Sequence, residues 1–439
     1  MGAVTDRDLD VVVFGASGVT GRRVAAYLAE RAEETPLRWA AAGRDADRLA
    51  QVLDAIGVSA PVVLVADVGD PRSLAAMAAR ARVVLNLVGP YTRYGRPVIE
   101  ACLAAGCHYV DLTGEVPFVR EIIDEFNGPA SEAGVKLVQI CGFESLPPDL
   151  MVALAAERAR EQWGEELGAV DLELTIAPPP GLPRPSDAIS GGTFQSAAAI
   201  IATEDAASVT DPAVLISDAG VAAAVRRTSP IRLGARRGSG AAVLAPMAPA
   251  PFINPAVIHR TAALAASAEG RAAMPFRYRE GVVLGGGRAS QPARWAIAGA
   301  LSATQVGLRG LAHASPRLRR PVASAMARVG PASGFGPAGN RLEGWRWAIW
   351  VHARTTAGNE LDVHLEADGH PGYLATARLL GEAGMLLAED GATPDRGGAL
   401  TPAAALGTAC IERFERAHLR FSIGGLSAAA DAAGTRSGR

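Results

Sequence analysis

The sequence predicts an α/β protein: an N-terminal Rossmann-type, doubly wound parallel sheet of order 3-2-1-4-5-6, followed by a second α+β domain of mostly antiparallel sheet. Three observations carry that prediction. Over the first 150 residues, short β-branched apolar runs alternate with segments of helical spacing, the pattern of strand–helix–strand crossovers. The first run, Val11–Phe14, leads into GASGVTG, with Gly15, Gly18 and Gly21 spaced G-x-x-G-x-x-G. Beyond residue 150 the segments 170–177, 346–356 and 359–367 alternate apolar and polar residues, as strands with one covered face do.

The elements follow in order. The glycine turn opens a helix over Arg22–Glu30, with Val24, Tyr27 and Leu28 on one side. LRWAAAG (37–43) is the second strand. The helix from Asp45 sets Leu49, Val52, Leu53 and Ile56 in register and stops at Gly57, a typical C′ residue. PVVLVAD (61–67) is the third strand, and Asp70-Pro71 supplies an N-cap with proline at N1 for the next helix. RVVLNLVGP (82–90) is the fourth strand, and its helix is expected to enter at Pro97 and end at Gly106. HYVDLTG (108–114) and KLVQICG (136–142) are the fifth and sixth, separated by a helix through Phe118–Phe126. Right-handed crossovers leave few other orders for six such strands.

The domains are therefore expected at 1–150 and 151–370, with helices from about 371–423 packing back on the first. In the second domain a proline-rich loop (178–187) leads to a helix near Gly192. Residues 372–388 read as an amphipathic helix, and 401–423 as a long final helix with a last strand. Residues 425–439 read as a flexible tail. The stretch 293–330 holds Arg294, Arg309, Arg317, Arg319, Arg320 and Arg328 and no acid. It reads either as an amphipathic hairpin meeting a membrane or lipid-like substrate, or as an excursion packed on the domain or on a twin subunit in a homodimer.

Bulk properties narrow the partners. The 439-residue chain carries a formal net charge of −2, so no general attraction to nucleic acid is expected. Its four cysteines, Cys102, Cys107, Cys141 and Cys410, have no C-x-x-C spacing, which fits a reducing cytoplasm. No signal-peptide pattern and no membrane-spanning apolar run are present. The seven histidines show no metal-ligand spacing. Lys136 is the single lysine, so a Tyr-x-x-x-Lys pair is absent, and so is G-x-S-x-G.

In an open parallel sheet a ligand lies beyond the carboxyl ends of the strands, at the switch between strands one and four. A backbone lying against a pyrophosphate cannot carry side chains there, and a helix N-terminus attracts the anion. Gly15, Ser17, Gly18, Val19, Thr20 and Gly21 are thus candidate cofactor contacts. Strand two closes on Gly43 and Arg44, where an NAD enzyme usually places an acid for the ribose 2′-hydroxyl; arginine suits a 2′-phosphate, so the cofactor reads as NADP(H). Asp67 is placed to meet the adenine, and Asn86, Val88, Gly89 and Pro90 to border the nicotinamide ribose. Two plainer readings stay open: a tight turn that binds nothing, and Arg44 as a solvated charge. Hydride transfer also needs a proton donor or oxyanion stabiliser. Tyr91, Tyr94, His108, Tyr109 and Glu115 have suitable chemistry, and Tyr91 and Tyr94 are the best placed. Ordinary packing of the aromatics, and helix capping by Asp111 and Glu115, are the alternatives.

GASGVTGRRVAAYL, WAAAGRDADRL, NLVGPYTRYGRPVIEACLAAGCHYVDLTGE and CGFESLPPDL resemble the N-terminal half of the saccharopine dehydrogenase-like oxidoreductases. SGGTFQSA, FRYRE (276–280) and HPGYLATARLLGEAGMLLAED resemble later motifs of that family. The branch containing the trans-acting enoyl reductases of polyketide and phthiocerol lipid synthesis is the best match. That resemblance implies reduction by NADPH of a carbon–carbon double bond in a small or carrier-bound acyl substrate, with a polyketide synthase as partner. An enolate oxygen formed there would need a donor, and Tyr91, Tyr94 and the Thr113 hydroxyl are the candidates. Two other classes remain: a saccharopine-type C=N reductase, with Arg184, Arg226, Arg227, Arg236 and Arg237 clamping a dicarboxylate, and a non-catalytic NADP(H) sensor.

Overall fold

The computed structural model describes residues 7–58, 62–181, 191–284, 290–330 and 342–427. Its first sheet contains β1 (Leu9–Phe14), β2 (Trp39–Gly43), β3 (Val63–Val65), β4 (Ala81–Asn86), β5 (His108–Asp111) and β6 (Lys136–Val138). The crossover helices are α1 (Gly21–Glu34), α2 (Ala46–Ala55), α3 (Pro71–Arg80), α4 (Tyr91–Ala105) and α5 (Val116–Glu132), and α6 (Leu146–Trp163) leads out of β6. The strand order is 3-2-1-4-5-6, all parallel. Apolar runs rather than alternation mark these strands because both faces are covered. Val11 and Val13 enter one core, and Val12 and Phe14 enter the other.

The second sheet contains β7 (Leu167–Ala177), β8 (Arg236–Arg237), β9 (Val243–Ala245), β10 (Arg277–Leu284), β11 (Arg346–Thr355), β12 (Glu360–Asp368) and β14 (Leu419–Ser427). Its order is 14-12-11-7-10-9-8, antiparallel except for the β7–β10 pair. Trp347, Ile349, Val351 and Ala353 of β11 alternate inward beside Leu361, Val363, Leu365 and Ala367 of β12. They share a continuous apolar cluster with α6 and one face of the first sheet.

Several boundaries differ from expectation. Helix α4 starts at Tyr91, with Pro97 inside it rather than at its entrance. The expected long helix of 401–423 is broken: a short helix, Pro402–Leu406, ends at Gly407 (φ +73°), a 3-10 segment runs through Thr408–Ala417, and β14 follows. Strand β14 carries the chain to Ser427, through the start of the expected tail, whose remainder lies outside the described residues. A seventh parallel strand, β13 (Gly398–Leu400), joins the first sheet beside β6. Three residues are too few for the strand to show as a pattern of its own.

The chain's late helix, Thr376–Ala388, lies against the first sheet. Added Cβ atoms at its Gly381 and Gly384 would sit 2.6 Å from Tyr27 Cδ1 and 2.9 Å from Leu85 Cδ2, so both positions need the missing side chain for close packing. Buried Glu382 between them accepts hydrogen bonds from Tyr27 Oη and Arg31 Nε, each at 2.7 Å. The 293–330 stretch is two helices, Gln291–Ala312 and Pro316–Val329. They bury Ala298, Gln305, Ala312, Arg319 and Ala323, and expose Trp295, Ile297, Val306, Leu318, Val322 and Val329. Among the described residues no helix is long and apolar enough to cross a membrane.

Candidate active site

The carboxyl ends of the central strands stand level: Phe14 of β1 pairs with Ala42 of β2 and Asn86 of β4, and Asn86 pairs with Asp111 of β5. The glycine turn sits on that edge. Gly15 has φ +89°, and a Cβ there would lie 3.0 Å from Val88 Cγ2. A Cβ on Gly21 would lie 2.1 Å from Gly15 O, so the helix start is folded directly onto the turn. A Cβ on Gly18 would meet only Gly15 O, at 3.1 Å, within its 4 Å surroundings. The three glycines thus serve different needs, namely the tight bend, the open approach and the helix contact. Thr20 makes no side-chain cap, and no acid stands in the first turn of α1. Arg22 and Arg23 follow, and Arg23 donates back to Val19 O. An uncapped helix start beside guanidinium groups suits a pyrophosphate.

Arg44 is exposed just past β2, next to the buried Gly43. The nearby Asp45 is already engaged, capping α2 by accepting from Arg48 N at 2.9 Å. A cation thus stands at the end of β2, where an acid would receive a ribose 2′-hydroxyl. Asp67 folds onto its own turn, with Oδ1 accepting from Gly69 N at 2.7 Å.

The fourth and fifth strand ends form one hydrogen-bonded frame. Asn86 is fully buried; its Nδ2 donates to Tyr109 Oη at 3.0 Å, and its Oδ1 accepts from Val88 N at 3.1 Å. Tyr109 Oη in turn donates to Asp111 Oδ2 at 2.9 Å. Asp111 Oδ1 accepts from Thr113 N and Ile140 N, and burial pushes its carboxyl up to about 7. Thr113 Oγ1 accepts from Glu115 N at 3.0 Å. Glu115, fully buried, accepts from Tyr91 N (3.0 Å), Thr92 N (2.8 Å) and the Thr92 hydroxyl. Its carboxylate therefore caps α4, not the helix that follows it, and accounts for a helix start that local sequence does not signal. Ser196 Oγ adds a 2.7 Å contact to Glu115 from the second part of the chain.

This frame sorts the candidate donors. Tyr91 is buried, and its hydroxyl donates inward to Asn86 O at 3.2 Å. Tyr94, one turn along α4, is half-buried, with Arg93 5.2 Å from its ring centre. His108 Nδ1 accepts from Lys136 N, and burial drives its pKa down to about 4. Tyr109 lies inside the sheet. Of the arginines that might clamp a dicarboxylate, Arg226 is paired with Asp211 at 2.7 Å, Arg227 and Arg237 are exposed, and Arg236 stands on β8; Arg184 lies outside the described residues.

Beyond β6 the chain turns through Cys141–Ser145 beneath the second sheet. Phe143 packs edge-on to Trp347, with ring centres 4.8 Å apart, and Phe143 N donates to Thr376 Oγ1. Ser145 Oγ donates to Asn254 Oδ1 at 2.6 Å, and Asn254 Nδ2 donates to Glu280 Oε2 at 2.7 Å. Tyr278 Oη also donates to that oxygen, at 3.2 Å. Sequence reasoning did not single out this chain of groups. The available signal was the β-period of FRYRE, which sends Phe276, Tyr278 and Glu280 to one face and so places a carboxyl in an inward position.

The saccharopine dehydrogenase NADP binding domain family model matches residues 11–138, the segment that builds the glycine turn and the frame beside it. A Mycobacterium tuberculosis (strain H37Rv) protein whose name assigns it provisionally to the trans-acting enoyl reductases is 37% identical over 427 residues, covering 94% of this chain and 97% of its own. The trans-acting enoyl reductase of Mycobacterium ulcerans is 34% identical over 421 residues, covering 93% and 96%. The chain belongs to the saccharopine dehydrogenase-like family, in its trans-acting enoyl reductase branch. Among solved structures, yeast saccharopine dehydrogenase (L-Glu forming) aligns over 94% of this chain and 99% of its own at 13% identity, with a TM-score of 0.48. As a member of this family the chain is an NADP-dependent oxidoreductase, and its cofactor is NADP(H).

Proposed function

We propose that this oxidoreductase reduces the carbon–carbon double bond of an acyl thioester carried by a partner synthase. The observation that supports this reading most is the full-length likeness to proteins named trans-acting enoyl reductases, which spans the second sheet as well as the nucleotide-binding one. The scattered, partly paired arginines favour it over a dicarboxylate imine as substrate.

The backbone of Gly15–Gly21 and the start of α1 are the residues that fit a pyrophosphate, and Arg44 the one that fits a 2′-phosphate. NADPH, when bound there, supplies the hydride. In this reading Arg44→Asp weakens NADPH about 10- to 100-fold and leaves NADH little changed, a difference that parallel fluorescence titrations resolve; it corresponds to about 1.5–3 kcal/mol for a charged hydrogen bond. Equal losses for both cofactors would return Arg44 to the solvated charges.

On the substrate side, Tyr94 is assigned as the donor to the thioester oxygen as negative charge builds on it. Tyr91 keeps the end of β4 in place by holding Asn86 O. Thr113, nearly fully buried, is the second donor candidate, because its Oγ1 is used by Glu115 N only as an acceptor. Turnover of trans-2-enoyl pantetheine thioesters is expected to fall about 100-fold in Tyr94→Phe, the loss typical of one oxyanion donor, with NADPH affinity unchanged. Full turnover in Tyr94→Phe would remove it from the mechanism. The exposed apolar and arginine-bearing face of the 291–329 helices is the surface assigned to the partner that carries the chain. Reduction of a chain on an acidic carrier domain should then slow with added salt more than reduction of the free pantetheine thioester. Equal salt dependence, with binding to anionic vesicles, would assign that face to lipid instead.

A further inference from the structure

Glu280 of β10 has its two carboxyl oxygens in different states. Oε2 receives both Asn254 Nδ2 and Tyr278 Oη, whereas Oε1 is buried with no hydrogen-bond partner. Arg236 on β8, beyond β9, lies on the other face of the sheet and pairs with Asp171 at 3.4 Å. Buried polar atoms without partners are uncommon in folded proteins, and one on a carboxyl group points to a ligand or a reaction.

Placement connects Glu280 to the nucleotide edge. Asn254, which bonds Glu280, also bonds Ser145 in the turn that leaves β6. Its neighbour Ile253 touches the loop after β5, since a Cβ on Gly114 would lie 3.0 Å from Ile253 Cδ1. The Ile253–Asn254 corner therefore joins the carboxyl ends of β5 and β6 to Glu280 on the second sheet. Glu280 is thereby tied to the edge where, in this fold, a substrate meets the nicotinamide end of a dinucleotide.

We propose that Glu280 is the general acid that delivers the proton to the α-carbon of the reduced acyl chain. This rests on the enoyl-reductase reading above. In that reaction a hydride from NADPH forms the new C–H bond at the β-carbon, and the π electrons shift to give an enolate. The enolate collapses to rebuild the C=O bond as its α-carbon takes the proton from Glu280 Oε1–H. The O–H bonding pair stays on Glu280, leaving a carboxylate that solvent reprotonates after product leaves. The proton belongs on Oε1, because Oε2 already accepts two hydrogen bonds. Arg236, on the other face of the sheet, favours the carboxylate left behind, and Asp149 of α6 acts on Tyr278. Burial holds the acid in its neutral form to about pH 7, above the ordinary glutamate range, while Asn254, Tyr278 and Arg236 pull in the opposite direction.

The test uses the full chain with NADPH and a trans-2-enoyl pantetheine thioester. Glu280→Gln should lower kcat at least about 100-fold with NADPH affinity unchanged. Wild-type activity should fall as pH rises through about 7, because the acid must be protonated. Tyr278→Phe removes a bond that favours the carboxylate, so that alkaline limb should move to higher pH; this variant serves where Glu280→Gln fails to fold. A second readout needs no turnover: infrared difference spectra of the cofactor-free protein should show a protonated carboxyl titrating near pH 7 that Glu280→Gln removes. Full turnover in Glu280→Gln, an unmoved limb in Tyr278→Phe, or no carboxyl band lost in Glu280→Gln would overturn the assignment while leaving enoyl reduction intact. If wild type reduces no enoyl thioester, the parent reading falls and takes the proton donor with it.

Discussion

A Gly21→Ala chain is expected to lose NADPH affinity by about 100-fold or more, roughly 3 kcal/mol, while its second sheet stays intact. The new Cβ would lie 2.1 Å from Gly15 O and 2.8 Å from Ala16 Cα. Both are backbone atoms, so no flexible side chain can move aside. The turn has to open, and opening it moves Gly18 and the start of α1 away from the place a pyrophosphate occupies. Gly128→Ala is the matched control: it lies in α5 with nothing within 4 Å of the added carbon. Fluorescence titration with NADPH separates the two. Unchanged affinity in Gly21→Ala would mean that the turn does not hold the cofactor.

The largest stability effect is expected from Glu382→Ala, about 3–5 kcal/mol in urea or thermal unfolding. Glu382 is fully buried and Arg31 is 2% exposed, so removing the carboxylate leaves a buried guanidinium held only at its outer end by Glu34. Tyr27 also loses its acceptor. The penalty comes from the buried nitrogens that lose their acceptor rather than from the worth of the pair, because burying two ions is itself costly. The double variant Arg31→Met with Glu382→Leu should therefore recover most of the loss. If Glu382→Ala unfolded at the wild-type midpoint, α1 and the Thr376–Ala388 helix would not be joined through this pair.

Much of the nucleotide-binding half was legible because its determinants are local. Apolar runs, glycine spacing and caps such as Asp70 at α3 and Gly57 after α2 lie within a few residues of what they control. Helix α4 shows where local reading stops. Pro97 looks like a helix entrance, yet the start is fixed at Tyr91 by the carboxylate of Glu115, 24 residues away in the chain. Strand β13 failed to show for a related reason: three residues become a strand only because β6 offers them a partner. The hydroxyls of Tyr91 and Tyr94 look equivalent in sequence, three residues apart, and only the packing of the helix start on the end of β4 buries one and leaves the other half-exposed. The Ser145–Asn254–Glu280 chain joins three segments more than 100 residues apart end to end, so no spacing could reveal it. The place of Arg44 just past β2 was legible because it is a local fact, and its role toward a 2′-phosphate is what the Arg44→Asp titration tests.

The most direct test of enoyl reduction is to incubate the protein with NADPH deuterated at C4 of the nicotinamide and a trans-2-enoyl pantetheine thioester, then locate the label by mass spectrometry and NMR. The expected product is a saturated thioester carrying one deuterium on its β-carbon. Oxidation of NADPH with no label in the acyl chain, or recovery of unreduced enoyl thioester at every chain length despite tight cofactor binding, would contradict it.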